Sequence, residues 1–371
     1  MISRLEIDGY KKFKRLVIDR LGTINVFLGP NNMGKTSILE SIYGWASGQN
    51  LQPFFDSGIT RSQFYARTKV YAIAEAILSS VNRNGNENKL SFTFAAIENG
   101  KKISFKHEFI PSVIFQPLEW IPFSQSYEYA VSETRQMFLQ DGQPNFFIGK
   151  WSIYSDLAKE QVYEICSDNR NNTTQYFGIQ SHIPSYYYKG YFYDVIGNMQ
   201  IYNSLKRRGL LDKFVTGLKK NFPYIKSLDA IPYPDSTFGY VNVEKEDGSS
   251  LPIYSYGDGL QKWYSILGEM IKSTDGMMCI DEIDAAFHPE MQRDFSRYLL
   301  DYAKLSNIQV FATTHNIEWV DKLLHAYNND ELEEYIRIYK IFEDDNGIPK
   351  IKCLTGDEAA YIRREYNMEL R

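Results

Sequence analysis

The chain has 371 residues, 43% of them hydrophobic and 23% charged, so it is long enough to bury one large core or two smaller ones. Its 41 basic residues are outnumbered by 46 acidic ones, and at a net charge of −5 any contact with nucleic acid would need a local basic patch. No apolar run reaches the roughly 18 residues that cross a bilayer, and the charged start lacks the apolar segment of a signal peptide, so we expect a cytoplasmic protein with no membrane partner. Three widely spaced cysteines without a CxxC pair argue against a disulfide framework or a zinc site.

The N-terminal part predicts a hairpin, a buried strand, a glycine-rich loop and a helix, in that order. Apolar and polar residues alternate over the first 22 residues around the turn-like GYKKFK, as in two short paired strands. The apolar run Ile24–Leu28 predicts a buried strand, and GPNNMGKTS follows it directly. The next segment predicts a helix whose apolar face carries Ile38, Leu39, Ile42 and Trp45.

The rest of the chain predicts further strands, then helices, then an alternating region. Three alternating segments between residues 68 and 115, separated by turn formers, predict strands. Residues 152–220 predict mainly helix without the heptads of a coiled coil. Beyond Leu251 the pattern predicts a parallel sheet with helices Gly259–Ile271, Pro289–Lys304 and Glu318–Ala326 and strands Met277–Ile280 and Ile308–Thr313.

We therefore expect an α/β fold with an N-terminal antiparallel β part and a helical insertion. The predicted segments are 1–150, which is rich in strands, 151–250, which is the insertion, and 251–371, where helices and strands alternate. Aromatic residues make up 15% of the chain, and many lie in the predicted insertion. They include Tyr186, Tyr187, Tyr188, Tyr191, Phe192 and Tyr193. Helix-to-sheet packing is the interpretation that their size favours, and a partner surface is the alternative.

The loop GPNNMGKTS fits the pattern GxxxxGK[ST] and lies between a buried strand and a helix, as a phosphate-binding loop requires. Backbone N–H groups and the helix N-terminus would hold phosphates, the Lys35 ammonium would bridge the β- and γ-phosphates, and the Thr36 hydroxyl would bind Mg²⁺. The predicted ATP-binding residues of this loop are Gly29, Pro30, Asn31, Asn32, Met33, Gly34, Lys35, Thr36 and Ser37. The alternative is a glycine-rich turn with a chance lysine.

Two acidic residues follow the predicted strand Met277–Ile280. Asp281 would complete the Mg²⁺ shell, and Glu282 would act as general base toward an attacking water. An ordinary strand end or a helix N-cap would explain the same residues. His315 follows the next apolar strand, where an imidazole could bond the γ-phosphate, although a histidine after a strand is often structural.

The segment SYGDGLQK places small residues at the start of a predicted helix. Ser255, Gly257 and Gly259 would expose a second nest of N–H donors, which is best used by a second protomer, so that two chains enclose two nucleotides. The alternative is a turn that only caps the helix.

These motifs together resemble those of ABC-type ATPases of the SMC, RecF and OLD branch. The opening IDGYKKF … GPNNMGKTSILESI, the signature-like SYGDGLQKWYSIL, the Walker B-like MMCIDEIDAAFHPEMQ and the switch-like VFATTHNIEWV carry the resemblance, over residues 1–45 and 250–325. It implies that Lys35 and Thr36 belong to Walker A, Asp281 and Glu282 to Walker B, and Ser255, Gly257 and Gly259 to a signature that acts in trans. It also implies His288 beside the D-loop and His315 as the switch, with Lys35, Glu282 and His315 as the catalytic residues.

The chain departs from the branch at two places. The signature has YSYGD where transporters have LSGGQ, which argues against a transporter head. No single segment is identified as the Q-loop; Gln180 is the first candidate for this ligand of the metal, and Gln116 is the second. Lys11 and Lys12 in the N-terminal turn would either border the nucleotide or lie in a solvated turn.

The resemblance is strongest to stand-alone subunits of the AAA_15 and AAA_21 type, such as those of the PARIS and Septu anti-phage systems, because no Toprim-like carboxylate cluster follows His315. It implies a homodimer or higher even oligomer that uses ATP and Mg²⁺ and controls a separately encoded effector. A RecF-like repair ATPase that binds DNA or RNA is the alternative, and its candidate basic patches are 11–15, 206–208 and 219–220. A scaffold that binds ATP without hydrolysing it is a third possibility.

Overall fold

The computed structural model describes residues 1–51, 90–111, 145–168, 181–188, 195–233, 239–285 and 287–366. Its strands are β1 (Ile2–Tyr10), β2 (Phe13–Asp19), β3 (Ile24–Leu28), β4 (Leu90–Glu98), β5 (Lys101–Pro111), β6 (Asn145–Ser155), β7 (Gln161–Asp168), β8 (Ser185–Tyr188), β9 (Ile225–Pro232), β10 (Gly239–Lys245), β11 (Ser250–Pro252), β12 (Met277–Ile280), β13 (Gln309–Thr314), β14 (Ile336–Glu343) and β15 (Pro349–Thr355). Its helices are α1 (Lys35–Ser47), α2 (Val195–Arg207), α3 (Leu211–Lys219), α4 (Asp258–Lys272), α5 (Pro289–Ser306), α6 (Ile317–Leu324), α7 (Asn329–Tyr335) and α8 (Gly356–Tyr366), with a 3₁₀ turn at Ile253–Ser255.

The chain forms two compact units that alternate along the sequence. Met1, Arg20–Leu39 and Pro184–Arg371 make the first unit, and Ile2–Asp19 with Glu40–Ile183 make the second. The division into the segments 1–150, 151–250 and 251–371 remains a prediction. The two units are defined by packing, and each combines separate stretches of the chain.

The second unit contains an antiparallel sheet with the order β2-β1-β4-β5-β6-β7. The predicted N-terminal hairpin is confirmed, since Tyr10 pairs with Phe13 across its turn. Strands β4 and β5 also fall where alternation placed them. One face of this sheet buries an aromatic cluster around His107, formed with Phe92, Phe94 and Trp151.

The first unit contains the central sheet, with the order β15-β14-β3-β13-β12-β8. Every pair from β14 to β8 is parallel, and only β15 runs antiparallel, against β14. All five residues of β3 are buried, as a strand between two parallel neighbours requires. The carboxyl ends of β3, β12 and β13 lie next to one another, and a ligand site in an open parallel sheet is expected at such an edge.

Helices and a small sheet complete the first unit. The core cluster joins the central sheet to α2–α6 and to the antiparallel sheet β11-β10-β9. Helix α4 buries one whole face, including Trp263, Tyr264 and Leu267. Helix ends follow local sequence, because Pro289 begins α5, left-handed Asn307 ends it, and the Asn316 side chain caps α6.

The α/β fold class is confirmed, but the prediction of mainly helix over residues 152–220 is wrong for part of that range. Residues of β6, β7 and β8 are strands there, and helix begins only at Val195. In β6, Trp151 and Ile153 are buried while Tyr154 is exposed, so the segment follows the period of two that its pairing with β5 imposes.

The aromatic stretch lies partly at the edge of the central sheet. Tyr186 and Tyr188 of β8 are half-buried and pack against the core, in line with a packing role. Tyr191, Phe192 and Tyr193 lie outside the described residues. The strand expected within residues 70–78 also lies outside them. Among the described residues, we find no helix with the length and apolar character to span a membrane.

Candidate functional site

The predicted phosphate-binding loop connects β3 to α1 and runs over Gly29–Gly34. Asn32 and Gly34 have left-handed backbones, with φ of 63° and 89°. A Cβ on Gly29 would lie 2.7 Å from the carbonyl oxygen of Ile341, so only glycine fits there without movement of the backbone. The loop thus turns sharply between the strand and α1, and the N–H groups at the N-terminus of a helix are donors that suit an anion.

Lys35 is buried at the start of α1, and its side chain folds back across the loop. Its Nζ donates to the carbonyl oxygens of Gly29 at 2.8 Å and Pro30 at 2.7 Å. Burial lowers the pKa of Lys35 to about 8, while the carboxylates of Asp281 and Glu282 oppose that shift. Phosphate oxygens are stronger partners than these carbonyls, so a bound anion would hold the ammonium in its charged form.

Asp281 follows β12 and faces the loop. The Thr36 hydroxyl donates to Asp281 Oδ1 at 3.4 Å, so the two residues predicted to bind Mg²⁺ lie side by side. A second hydroxyl, that of Thr313 at the end of β13, donates to the same oxygen at 2.5 Å. Hydroxyl and carboxylate oxygens are hard donors of the kind that Mg²⁺ prefers, and this pair leaves the remaining positions to water and phosphate. The residues present therefore fit the metal that the motifs imply.

Glu282 lies in a left-handed conformation, with φ of 51°. Such a backbone is uncommon in a residue with a side chain and requires support from its surroundings. The backbone N–H of Glu282 donates to Thr313 Oγ1 at 2.9 Å, and its carbonyl oxygen accepts from Lys262 Nζ at 2.6 Å. The turn that carries the predicted base is thus held from both sides.

His315 lies just past β13 and joins the same group. Its Nδ1 is 3.4 Å from Lys35 Nζ. Partial burial, and then the neighbouring Lys35 ammonium, lower the pKa of His315 below its ordinary value. The ring is therefore mostly neutral near pH 7. In this form one ring nitrogen donates a hydrogen bond and the other accepts one. The preceding residue, Thr314, donates to Asp284, which ties the strand end to the turn after Glu282.

The signature-like segment has contacts of its own. Ser255 ends the 3₁₀ turn, Gly257 is the N-cap of α4, and Gly259 lies in the first turn of that helix. The Gln261 amide donates to the carbonyl oxygen of Tyr256 at 2.7 Å and stabilises the loop. Gly257 has φ of −60°, and a Cβ there would meet no atom within 4 Å, so the fold of the chain itself does not require this glycine.

The remaining predicted positions are the Q-loop candidates, the lysines of the N-terminal turn, His288 and the other residues of the loop. Gln180 and Gln116 lie outside the described residues, so the Q-loop assignment remains a prediction. Lys11, in the turn next to Lys12, forms an ion pair with the buried carboxylate of Glu40. His288 is exposed and caps α5. Of the loop residues, Asn31, Asn32 and Pro30 are exposed, Met33 is half-buried and Ser37 is buried.

Two residues that contact the predicted Walker B turn were not singled out from the sequence. Thr313 lies in FATTHN beside the predicted switch histidine, and Lys262 lies in SYGDGLQK after the predicted signature glycines. For Lys262 the sequence does contain a signal, because a lysine interrupts the apolar face of the helix that becomes α4. The structure shows that this position is fully buried, where an unpaired lysine is rare.

The chain is similar to known proteins over most of its length. The model of the AAA_21 family, described as an AAA domain, putative AbiEii toxin, Type IV TA system, matches residues 24–321. The chain is 22% identical over 389 residues to an ATP/GTP phosphatase of Helicobacter pylori, across 99% of this chain and 100% of that protein. It is 23% identical over 352 residues to the DNA replication and repair protein RecF of Psychromonas ingrahamii, across 87% of this chain and 94% of that protein.

A similar fold occurs in the Smc head domain with an extended coiled coil, bound to the C-terminal domain of ScpA, from Pyrococcus furiosus. The TM-score is 0.50 at 10% identity, over 99% of this chain and 100% of that one. The family match begins at β3 and ends within α6, so it includes the loop, the signature-like segment, Asp281, Glu282 and His315. The chain therefore belongs to this AAA family and is an ATPase.

Proposed function

We propose that this protein is an ATP-driven dimeric switch, in which ATP binding closes two heads on each other and hydrolysis opens them. The observation that carries the proposal is the convergence of Lys35, Thr36, Asp281 and His315 at one edge of the central sheet, with direct contacts among them. A site built only to hold a nucleotide would need neither a base nor a γ-phosphate contact at this edge.

Each residue has a defined task in this proposal. The loop Gly29–Gly34 and the N-terminus of α1 bind the phosphates, and Lys35 neutralises the charge that develops during hydrolysis. Thr36 and Asp281 would hold Mg²⁺, which when bound offsets the negative charge of the phosphates. Glu282 orients the attacking water and takes up its proton, and His315 contacts the γ-phosphate.

The second protomer supplies the signature. Gly257 lies at an exposed helix start with open space around its Cα, which suits close approach by a partner's nucleotide. ATP would then contact one protomer through the loop and the other through Ser255, Gly257 and Gly259. Because ATP contacts both protomers only in the closed form, its binding free energy favours that form.

The output of the switch is the control of a separately encoded effector, in an anti-phage defence system. Support comes from the resemblance to stand-alone defence ATPases and from the family description, which names a type IV toxin–antitoxin system. The Smc head of similar fold was also captured with a partner domain. Co-purification of a neighbouring gene product with the tagged protein tests this part of the proposal.

Replacement of Glu282 by Gln tests the switch. The variant should bind ATP as the wild type does, lose hydrolysis by about 10² to 10⁴-fold, and accumulate as an ATP-bound dimer, because a removed general base slows only the chemical step. Single-turnover hydrolysis, isothermal titration calorimetry and light scattering measure the three quantities.

The exposed Glu290 on α5 provides the matched control, since Glu290→Gln should change none of these properties. A Lys35→Ala variant should lose both ATP binding and ATP hydrolysis. If the wild-type protein hydrolyses ATP and this variant does not, the protein is not a scaffold that only binds ATP. Hydrolysis by Glu282→Gln at the wild-type rate would show that the base is assigned wrongly.

A RecF-like activity on DNA is the second candidate, favoured by the similarity to RecF over most of the chain. The candidate basic patches are partly neutralised, because Lys11 pairs with Glu40, Arg15 lies 3.8 Å from Asp8, and Lys219 pairs with Glu246. DNA binding by the ATP-bound Glu282→Gln variant that weakens steeply between 50 and 200 mM salt would favour this candidate.

A further inference from the structure

The turn after β12 carries the base of the proposed reaction, and its conformation depends on side chains from outside it. Glu282 has a left-handed backbone, which a residue with a side chain adopts only when its neighbours impose it. Thr313 holds the N–H of Glu282, and Thr314 holds the carboxylate of Asp284. These contacts leave the carbonyl side of the turn to a third group.

That group is Lys262 of α4. Its ammonium donates to the carbonyl oxygens of Glu282 at 2.6 Å and Ala285 at 3.0 Å, so it spans the turn. The rings of Tyr188 and Phe287 lie 5.6 Å and 5.4 Å from its Nζ and enclose the charge. The residue is only 1% exposed.

Packing alone does not require a lysine at this position. A buried ammonium is costly, and an apolar side chain of similar length would fill the same space at lower cost. Burial lowers the pKa of Lys262 to about 8, partly offset by Asp284, Glu282 and Asp281, which reflects that cost. The polar end is therefore retained for its two hydrogen bonds to the turn.

Lys262 also lies on the helix that begins with the signature-like segment. Gly257 caps α4 and Lys262 follows in its second turn, so one rigid element connects the exposed helix start to the carbonyl of Glu282. We infer that Lys262 is a positioning residue that fixes the Glu282 turn and couples its geometry to the position of the signature helix. The inference rests on the proposed function, since it assigns a task in the same hydrolysis.

A double-mutant cycle between Lys262 and Glu282 tests the inference. Lys262→Met keeps the packing volume and removes the donors. We expect its affinity for ATP to stay within about 3-fold of wild type and its single-turnover rate to fall at least 10-fold. Glu282→Gln keeps the backbone carbonyl but has no base to position, so adding Lys262→Met to it should slow the residual rate by less than 2-fold.

Two further variants complete the cycle. Lys272→Met at the other end of α4, where Lys272 pairs with Glu269, is the matched control and should hydrolyse ATP at the wild-type rate. Lys262→Arg keeps donors for the two carbonyls and should retain a larger fraction of the rate than Lys262→Met. If the methionine variant does not fold, Lys262→Leu, which also lacks a donor, replaces it in the cycle and the same criterion applies.

Three outcomes would overturn the inference. They are a wild-type rate in Lys262→Met, weaker ATP binding with an unchanged rate, and an equal slowing of wild type and of Glu282→Gln, which would indicate a general structural role. Failure of the proposed function appears separately, as absence of turnover in the wild type or full turnover in Glu282→Gln alone.

Discussion

A single hydroxyl group lies between the two acidic residues of the site. Thr313 Oγ1 donates to Asp281 and accepts from the N–H of Glu282, so it fixes the carboxylate assigned to the metal and the backbone of the assigned base at once. Its side chain is buried, and water cannot replace it without a rearrangement. At the residue scale, the site thus depends on a group that takes no direct part in the chemistry.

Removal of this hydroxyl should therefore disturb both acidic residues. Thr313→Val has the same shape but leaves a buried N–H without its acceptor, which costs about 1–3 kcal/mol. We expect hydrolysis to fall at least 10-fold and Mg²⁺ to be required at higher concentration, measured by phosphate release over a magnesium titration. Thr313→Ser keeps the hydroxyl and serves as the control; equal losses in both variants would contradict this role.

At the scale of elements, two glycines lie in the segments that lead into helices, and they are there for different reasons. Gly29 precedes α1 and has the Ile341 carbonyl where a Cβ would lie, so the fold itself excludes a side chain. Gly257 precedes α4 with an ordinary backbone and open space. Because no contact within the described part of the chain requires a glycine at position 257, this residue suits a surface that another molecule approaches closely. The different roles of Gly29 and Gly257 can be tested by substitution.

Substitution at the two positions should give opposite results. Gly29→Ala should lower stability by about 1–3 kcal/mol and weaken ATP binding, because the backbone of the loop must shift. Gly257→Glu should fold and bind ATP as the wild type does, yet fail to dimerise with ATP and lose hydrolysis. Thermal melting, calorimetry and light scattering distinguish these outcomes; a dimer of Gly257→Glu that hydrolyses ATP normally would contradict action in trans.

At the scale of the whole molecule, the second unit has its own acid-sensitive core. His107 is fully buried among Phe92, Phe94 and Trp151, and burial lowers its pKa to about 3. The Trp151 indole N–H donates to its Nδ1 at 3.3 Å, a bond that requires this nitrogen to be unprotonated. The histidine thus stabilises the unit in its neutral form only.

This environment predicts a loss of stability in mild acid. The unfolded chain takes up a proton near pH 6.5 and the folded chain only near pH 3, so the contribution of His107 is complete above pH 6.5 and declines as the pH falls toward 3. The decline amounts to about 2 kcal/mol at pH 5. Urea unfolding followed by tryptophan fluorescence at pH 7 and pH 5 measures it.

The variant His107→Asn keeps an acceptor for Trp151 and should show a smaller difference between the two pH values. Replacement of the exposed His325 by Asn is the control and should leave the wild-type difference unchanged. An equal acid sensitivity in wild type and His107→Asn would assign the effect to other groups.

The sequence by itself determined the features that local patterns encode. The hairpin before β3, the bounds of β3 and β12, and the loop up to Lys35 all lie where the pattern predicted them. Each of these follows from neighbouring residues, through alternation, turn-forming residues or helix caps. The residues predicted for the phosphate-binding loop also lie in one short segment, and the Walker B and switch assignments remain predictions that the family resemblance implies.

Only the tertiary structure decided which side chains hold the turn at Glu282 and whether the middle of the chain follows the period of a strand or of a helix. Lys262 and Thr313 reach Glu282 from α4 and β13, and no spacing within a short window announces such contacts. Strands β6 and β7 form because β5 pairs with β6, although their sequence alone was compatible with helix. The physical reason is that strand pairing and the burial of a charge depend on partners distant in the sequence, which become neighbours only when the sheet assembles.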